Sequence, residues 1–128
     1  MAVARWKNSS VALDAANRII DLRTVVECLY AQDASHELGL RTALCGAWHM
    51  APTADERAAH YDKFRKLYGA ASRVVHGRKP GAYHGDLARW AHDACRRAIL
   101  KRLEEPRELD WTAMMLGLPQ PSDGDPCP

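Results

Sequence analysis

Tyr68-Gly-Ala-Ala-Ser-Arg-Val-Val-His-Gly77 closes an amphipathic run, and its pattern decides how the chain folds. Phe64, Leu67, Tyr68, Ala71, Val74 and Val75 recur three, one, three, three and one residues apart, which is the period of one helical face. Gly77 then supplies a residue able to end a helix in the left-handed conformation. His76 stands at the boundary of helix and loop, with Ser72 and Arg73 about one turn before it. An imidazole in that place has two readings. Either it complements the negative end of the helix dipole, or, because it titrates near neutral pH, it exchanges protons with a ligand.

Upstream, Thr53-Ala-Asp-Glu56 has the form of a capping box, which starts this helix and carries it to Val75. Arg57, Lys63, Arg65, Lys66 and Arg73 fall on its wetter sides. Gly69, Ala70 and Ala71 are small enough to let another helix approach closely, including one from a second copy of the chain. Downstream, Gly77-Arg-Lys-Pro-Gly-Ala-Tyr-His-Gly85 contains three glycines and a proline, so no regular element is expected there. Arg78, Lys79, Tyr83 and His84 decorate that loop. Cations beside rings can hold a phosphate and stack a base, and the alternative is an ordinary solvated turn.

The remaining segments repeat the helical period. Residues 1–10 form a lead-in, and Ser9 or Ser10 caps a helix running to about Tyr30 on the face of Ile19, Leu22, Val26 and Leu29. Ser35 caps a second helix that ends near Met50, where Ala51-Pro52 stops it. Within it, Glu37 and Arg41 have the spacing and order of a stabilising surface pair. Asp86 caps a fourth helix reaching about Glu105, with Leu87, Trp90, Ala91, Ala94, Cys95, Ala98 and Ile99 on its apolar stripe. A short fifth helix over Glu108 to Leu116 is closed by Gly117, and 118–128 has the composition of a flexible tail. The expected architecture is therefore all-α: a bundle of four main helices plus a short C-terminal helix, spanning 11–117.

Composition narrows the function classes. A length of 128 residues suits one domain with its own core. Eighteen Lys and Arg against sixteen Asp and Glu give a net charge of only +2, so any affinity for nucleic acid must come from local clustering. Cys28, Cys45, Cys95 and Cys127 form no Cys-x-x-Cys pair, which fits reduced thiols in a cytoplasmic protein. His84 and His92 have no recognised ligand spacing, and neither a metal nor a cofactor is expected. No run of about 18 apolar residues suggests a membrane span.

Three segments in the same order resemble the HEPN superfamily, in particular its Apea-like branch. The family's third helix ends in a pattern close to Tyr-x-x-Arg-Ser-x-x-Val-His-Gly, with which Tyr68, Ser72, Val75, His76 and Gly77 are in register. Residues 19–30, with Glu27, are similar to the first helix of that branch, and 37–44, with Arg41, to its second. The resemblance implies an RNA-directed helical domain, in some members a metal-independent endoribonuclease built from two protomers in a defence or toxin-like system. It implies His76 as acid and base and brings Arg41 into the RNA-contacting set. An operon-encoded protein partner belongs to the same expectation. From their places beside His76, Arg73 or Arg78 are the candidates to hold phosphate where the motif arginine is missing, Ser72 is an added donor, and Arg73, Arg78, Lys79 and Tyr83 are the candidate RNA contacts. Ala71 occupies the place of the family's motif arginine, so the alternative is a non-catalytic module that dimerises or binds RNA or protein. Restoring arginine at 71 is expected to raise cleavage.

Overall fold

Six helices account for the regular structure among the described residues, which in this computed structural model are 1–12, 14–32, 34–79, 84–105 and 108–120. They are α1 (Ala2–Val11), α2 (Ala15–Tyr30), α3 (Leu38–Met50), α4 (Ala54–Val75), α5 (His84–Glu104) and α6 (Trp111–Met115). The all-α expectation holds. The helix α2 is the axis of the bundle and touches α1, α3, α4 and α5. It buries Ile19, Leu22, Val25, Val26 and Tyr30, so its apolar stripe is wide enough to face neighbours on several sides. Each such aliphatic side chain contributes about 1.5–3 kcal/mol when fully removed from water.

The helices α3 and α4 approach closely. A Cβ placed on Gly46 would lie 2.6 Å from Phe64 Cε2, so only glycine lets the Phe64 ring sit against the α3 backbone. Phe64 then meets Tyr30 and Trp90 edge to face, with centroids 6.4 and 5.3 Å away, a geometry that adds to simple area burial. The capping box at the start of α4 is formed: Thr53 Oγ1 accepts from the Glu56 N–H and Glu56 Oε2 accepts from the Thr53 N–H.

Four expectations are corrected. The segment 1–10 is not a lead-in but forms most of α1, which lies against α2 and α5. Trp6 stacks on His92 with centroids 4.8 Å apart and donates its indole N–H to the His92 carbonyl at 3.1 Å. Ser9 and Ser10 cap nothing. The Ser9 hydroxyl donates to the Trp6 carbonyl and Ser10 Oγ pairs with His92 Nε2, while Asp14 caps α2 by accepting from the Asn17 N–H. At α3 the cap position is Glu37, in left-handed backbone at φ 52°, and Ser35 plays no part. Glu37 thus lies outside the helix, and the pair with Arg41 does not form. Finally, α5 begins at His84, two residues before Asp86, which forms an ion pair with Arg89 instead.

The C-terminal region follows expectation more closely. Asp110 caps α6 by accepting from the Ala113 N–H, and Gly117 at φ 68° ends it. Of the expected tail, 118–120 is tied back, since the Gln120 amide exchanges two hydrogen bonds with the Asp110 backbone. Residues 121–128 lie outside those described.

Candidate functional site

The end of α4 is built by backbone hydrogen bonds. His76 is the C-cap, and its N–H donates to the Ser72 carbonyl at 3.1 Å. The Gly77 N–H donates to Val74 and the Arg78 N–H to Arg73, a closing pattern that needs left-handed backbone at the glycine, and Gly77 has φ 75°. This turn fixes where the next side chains emerge. Arg73, His76, Arg78 and Lys79 are all exposed, and Ser72 is half-buried. Among the described residues none of the three cations at 73, 78 and 79 is paired with a carboxylate. They complement the negative end of α4 and leave their donors facing solvent.

His84 completes this end of the bundle. It was expected to decorate a loop, but as the first residue of α5 it is buried, and burial and then the Arg73 charge hold its pKa below the ordinary imidazole value. The start of α5 and the end of α4 thus lie near enough for the Arg73 charge to act on His84. Tyr83, the expected stacking residue, lies outside the described residues.

Ala71 is completely buried in the core that α4 shares with α2 and α5. The position that carries arginine in the family's pattern therefore points inward, away from His76. An arginine there would carry its charge into the core, which argues against the expectation that it raises cleavage. Ala70 is buried too, so the small residues serve packing within this chain, whereas Gly69 is exposed with nothing within 4 Å of an added Cβ.

Two other expected residues belong elsewhere. Arg41 lines a separate cavity with Tyr30, Arg102 and Trp111. Glu27 accepts from Arg23 Nε at 3.0 Å and from the Tyr68 hydroxyl, while the Arg23 guanidinium lies 4.5 Å over the Tyr68 ring. This cluster ties α2 to α4. Burial and the Glu27 hydrogen bond both raise the Tyr68 pKa, while for Arg23 burial is outweighed by Glu27 and the pKa rises. Glu27 is thereby held as a packing ion pair.

A second polar cluster has no counterpart in the sequence pattern. Tyr30 Oη and His49 Nδ1 are 2.9 Å apart, His49 Nε2 and Glu105 Oε1 2.7 Å, and Arg102 Nη1 donates to Glu105 Oε2 at 2.7 Å. Tyr30 and His49 are almost fully buried. Burial lowers the His49 pKa despite Glu105 and raises that of Tyr30 well above the ordinary phenol value. Such a chain satisfies polar atoms that the core would otherwise strand. It was invisible beforehand because Tyr30, His49 and Arg102 come from three helices, with Glu105 just past the end of α5, and no fixed spacing joins them.

Among the described residues no group of three or more His, Cys, Asp or Glu could hold a metal ion, and no helix is long and apolar enough to cross a membrane. Comparison of the chain with protein-family models, curated proteins and solved structures finds no match.

Proposed function

We propose that this chain is a HEPN-type, RNA-directed helical domain that holds the phosphate backbone at the α4–α5 end and cleaves it weakly or not at all. One observation carries the reading: Arg73, His76, Arg78 and Lys79 are exposed together at one helix end without carboxylate partners among the described residues, while position 71 is an alanine sealed in the core. Unpaired guanidinium and ammonium groups favour phosphate oxygens. A lone exposed imidazole can move a proton, but a phosphate transition state also calls for a planar fork of donors fixed beside it. Arg73 is the nearest substitute in sequence, and its side chain is not fixed by any hydrogen bond among the described residues. Binding therefore takes precedence over catalysis. Two copies pairing along α4, with Gly69 on the open side, would double the cationic surface in the manner of the family's shared clefts.

The test is fluorescence anisotropy of a labelled single-stranded RNA across a salt series. Arg78→Ala with Lys79→Ala should weaken binding and lower the slope of log affinity against log salt by about 1.4, since each single-strand phosphate contact contributes about 0.7. Unchanged affinity and slope would remove this loop from RNA contact. Incubation with RNA in chelator should yield little cleavage. Rapid cleavage abolished by His76→Ala would instead establish an enzyme in which Arg73 has taken the phosphate-holding role.

A further inference from the structure

A cavity of about 270 Å³ opens where the last turn of α2 meets α3, the end of α5 and the start of α6. It has room for roughly nine water volumes at about 30 Å³ each, which is the scale of a small metabolite. Arg41 and Glu108 both line it. Among the described residues the Arg41 guanidinium has no hydrogen bond or ion pair, Glu108 has none either, and the two do not reach each other. Arg102 also faces the cavity but is already engaged, donating to Glu105 at 2.7 Å and lying over the Trp111 ring at 5.5 Å. The wall is rigid. Tyr30 is pinned through His49 to Glu105 and meets Trp111 edge-on at 5.3 Å.

Among the described residues, one unmatched cation and one unmatched carboxylate lining the same small cavity describe a ligand carrying both opposite charges. A simple anion would satisfy Arg41 and be repelled by Glu108, and a simple amine would meet the converse. We propose that this cavity binds a free amino acid with a short polar side chain. Its carboxylate accepts from the Arg41 guanidinium, which can donate two parallel hydrogen bonds, and its ammonium donates to the Glu108 carboxylate. Its side chain faces Gln32 and Cys28, which supply polar atoms in the same lining. The site is independent of the cationic end of α4.

Titration with L-serine and with L-glutamine, followed through the Trp111 indole N–H in proton–nitrogen correlation spectra, tests this directly. Trp111→Phe assigns the resonance. The expected result is a saturable shift for at least one of the two amino acids, with affinity weakened at least tenfold by Arg41→Gln and by Glu108→Gln. Ethanolamine and 3-hydroxypropanoate, each carrying one of serine's two charges, should bind at least tenfold more weakly than the amino acid. Glu108 is exposed, so Glu108→Gln keeps the fold and its result is decisive even where Arg41→Gln lowers stability. Arg78→Ala with Lys79→Ala should leave the titration unchanged, which separates this site from RNA binding. Absence of saturation by either amino acid at about 10 mM, a concentration matching very weak affinity, overturns the proposal. Binding of 3-hydroxypropanoate as tightly as serine overturns it as well.

Discussion

Ala71→Arg introduces the family's motif arginine at a position with no exposed surface. Its surroundings would be the buried core to which α2, α3 and α5 also contribute. Overfilling a packed core costs about 1–3 kcal/mol, and an unpaired buried charge adds several kcal/mol after relaxation, about 3 at the low end. The sum is at least about 4 kcal/mol, a large fraction of the roughly 5–15 kcal/mol that holds an ordinary domain together. Urea unfolding followed by circular dichroism measures it. With a slope of about 1–3 kcal/mol per molar, the midpoint should fall by more than about 1.3 M, or the variant should fail to fold. Ser72→Arg is the control, because it adds the same charge one residue along at a half-exposed position and should change stability by no more than about 0.5 kcal/mol. The reasoning is refuted if Ala71→Arg unfolds within about 0.3 M of the parent protein, a shift too small for a buried charge. Metal-free RNA cleavage by that variant, lost again on adding His76→Ala, would mean that residue 71 reaches the surface.

Stability should rise with pH through the histidine range. His49, His84 and His92 all have pKa values held below the ordinary 6.5, burial being the largest cause for each. The unfolded chain therefore binds more protons than the folded one, and this contribution is fully present above about pH 6.5 and is lost as pH falls through the folded values. Melting temperature should drop between about pH 7.5 and about pH 5, and His49→Gln should flatten that drop; equal slopes would show that His49 does not contribute to it. Two glycines should respond with opposite signs in the same melts. Gly46→Ala forces a methyl against Phe64 and should cost about 1 kcal/mol net, overpacking of about 1–3 offset by up to about 1 of helix propensity. Gly69→Ala enters open space and should stabilise by up to about 1 kcal/mol.

Legibility along the chain followed the reach of each interaction. The capping box at Thr53, the end of α4 at Val75 and the closing glycines at 77 and 117 depend on contacts within a few residues, and their spacing was readable in the sequence. The break between α1 and α2 was not, because Asp14 competes with Ser9 and Ser10 as a cap and all three are plausible caps by residue type. The contact that ties α1 to the bundle, Trp6 with His92, joins residues 86 apart. The inward direction of Ala71 was implicit in the apolar stripe of Phe64, Leu67 and Val74, yet the motif alignment pointed the other way. Gly46 shows the same limit: a glycine inside a helix signals a close neighbour, but only the tertiary arrangement identifies Phe64 as that neighbour and leaves Gly69 without one.

The clasp of Trp6 on His92 also sets a clock for the chain during synthesis. At roughly 5–20 residues per second, about 4 to 17 seconds separate the appearance of the indole from that of its stacking partner. Throughout that interval α1 has no α5 to lie against, and the apolar stripe of α2 is only partly covered. A helper that shields nascent apolar segments would have its window then, and the window would close when α5 arrives.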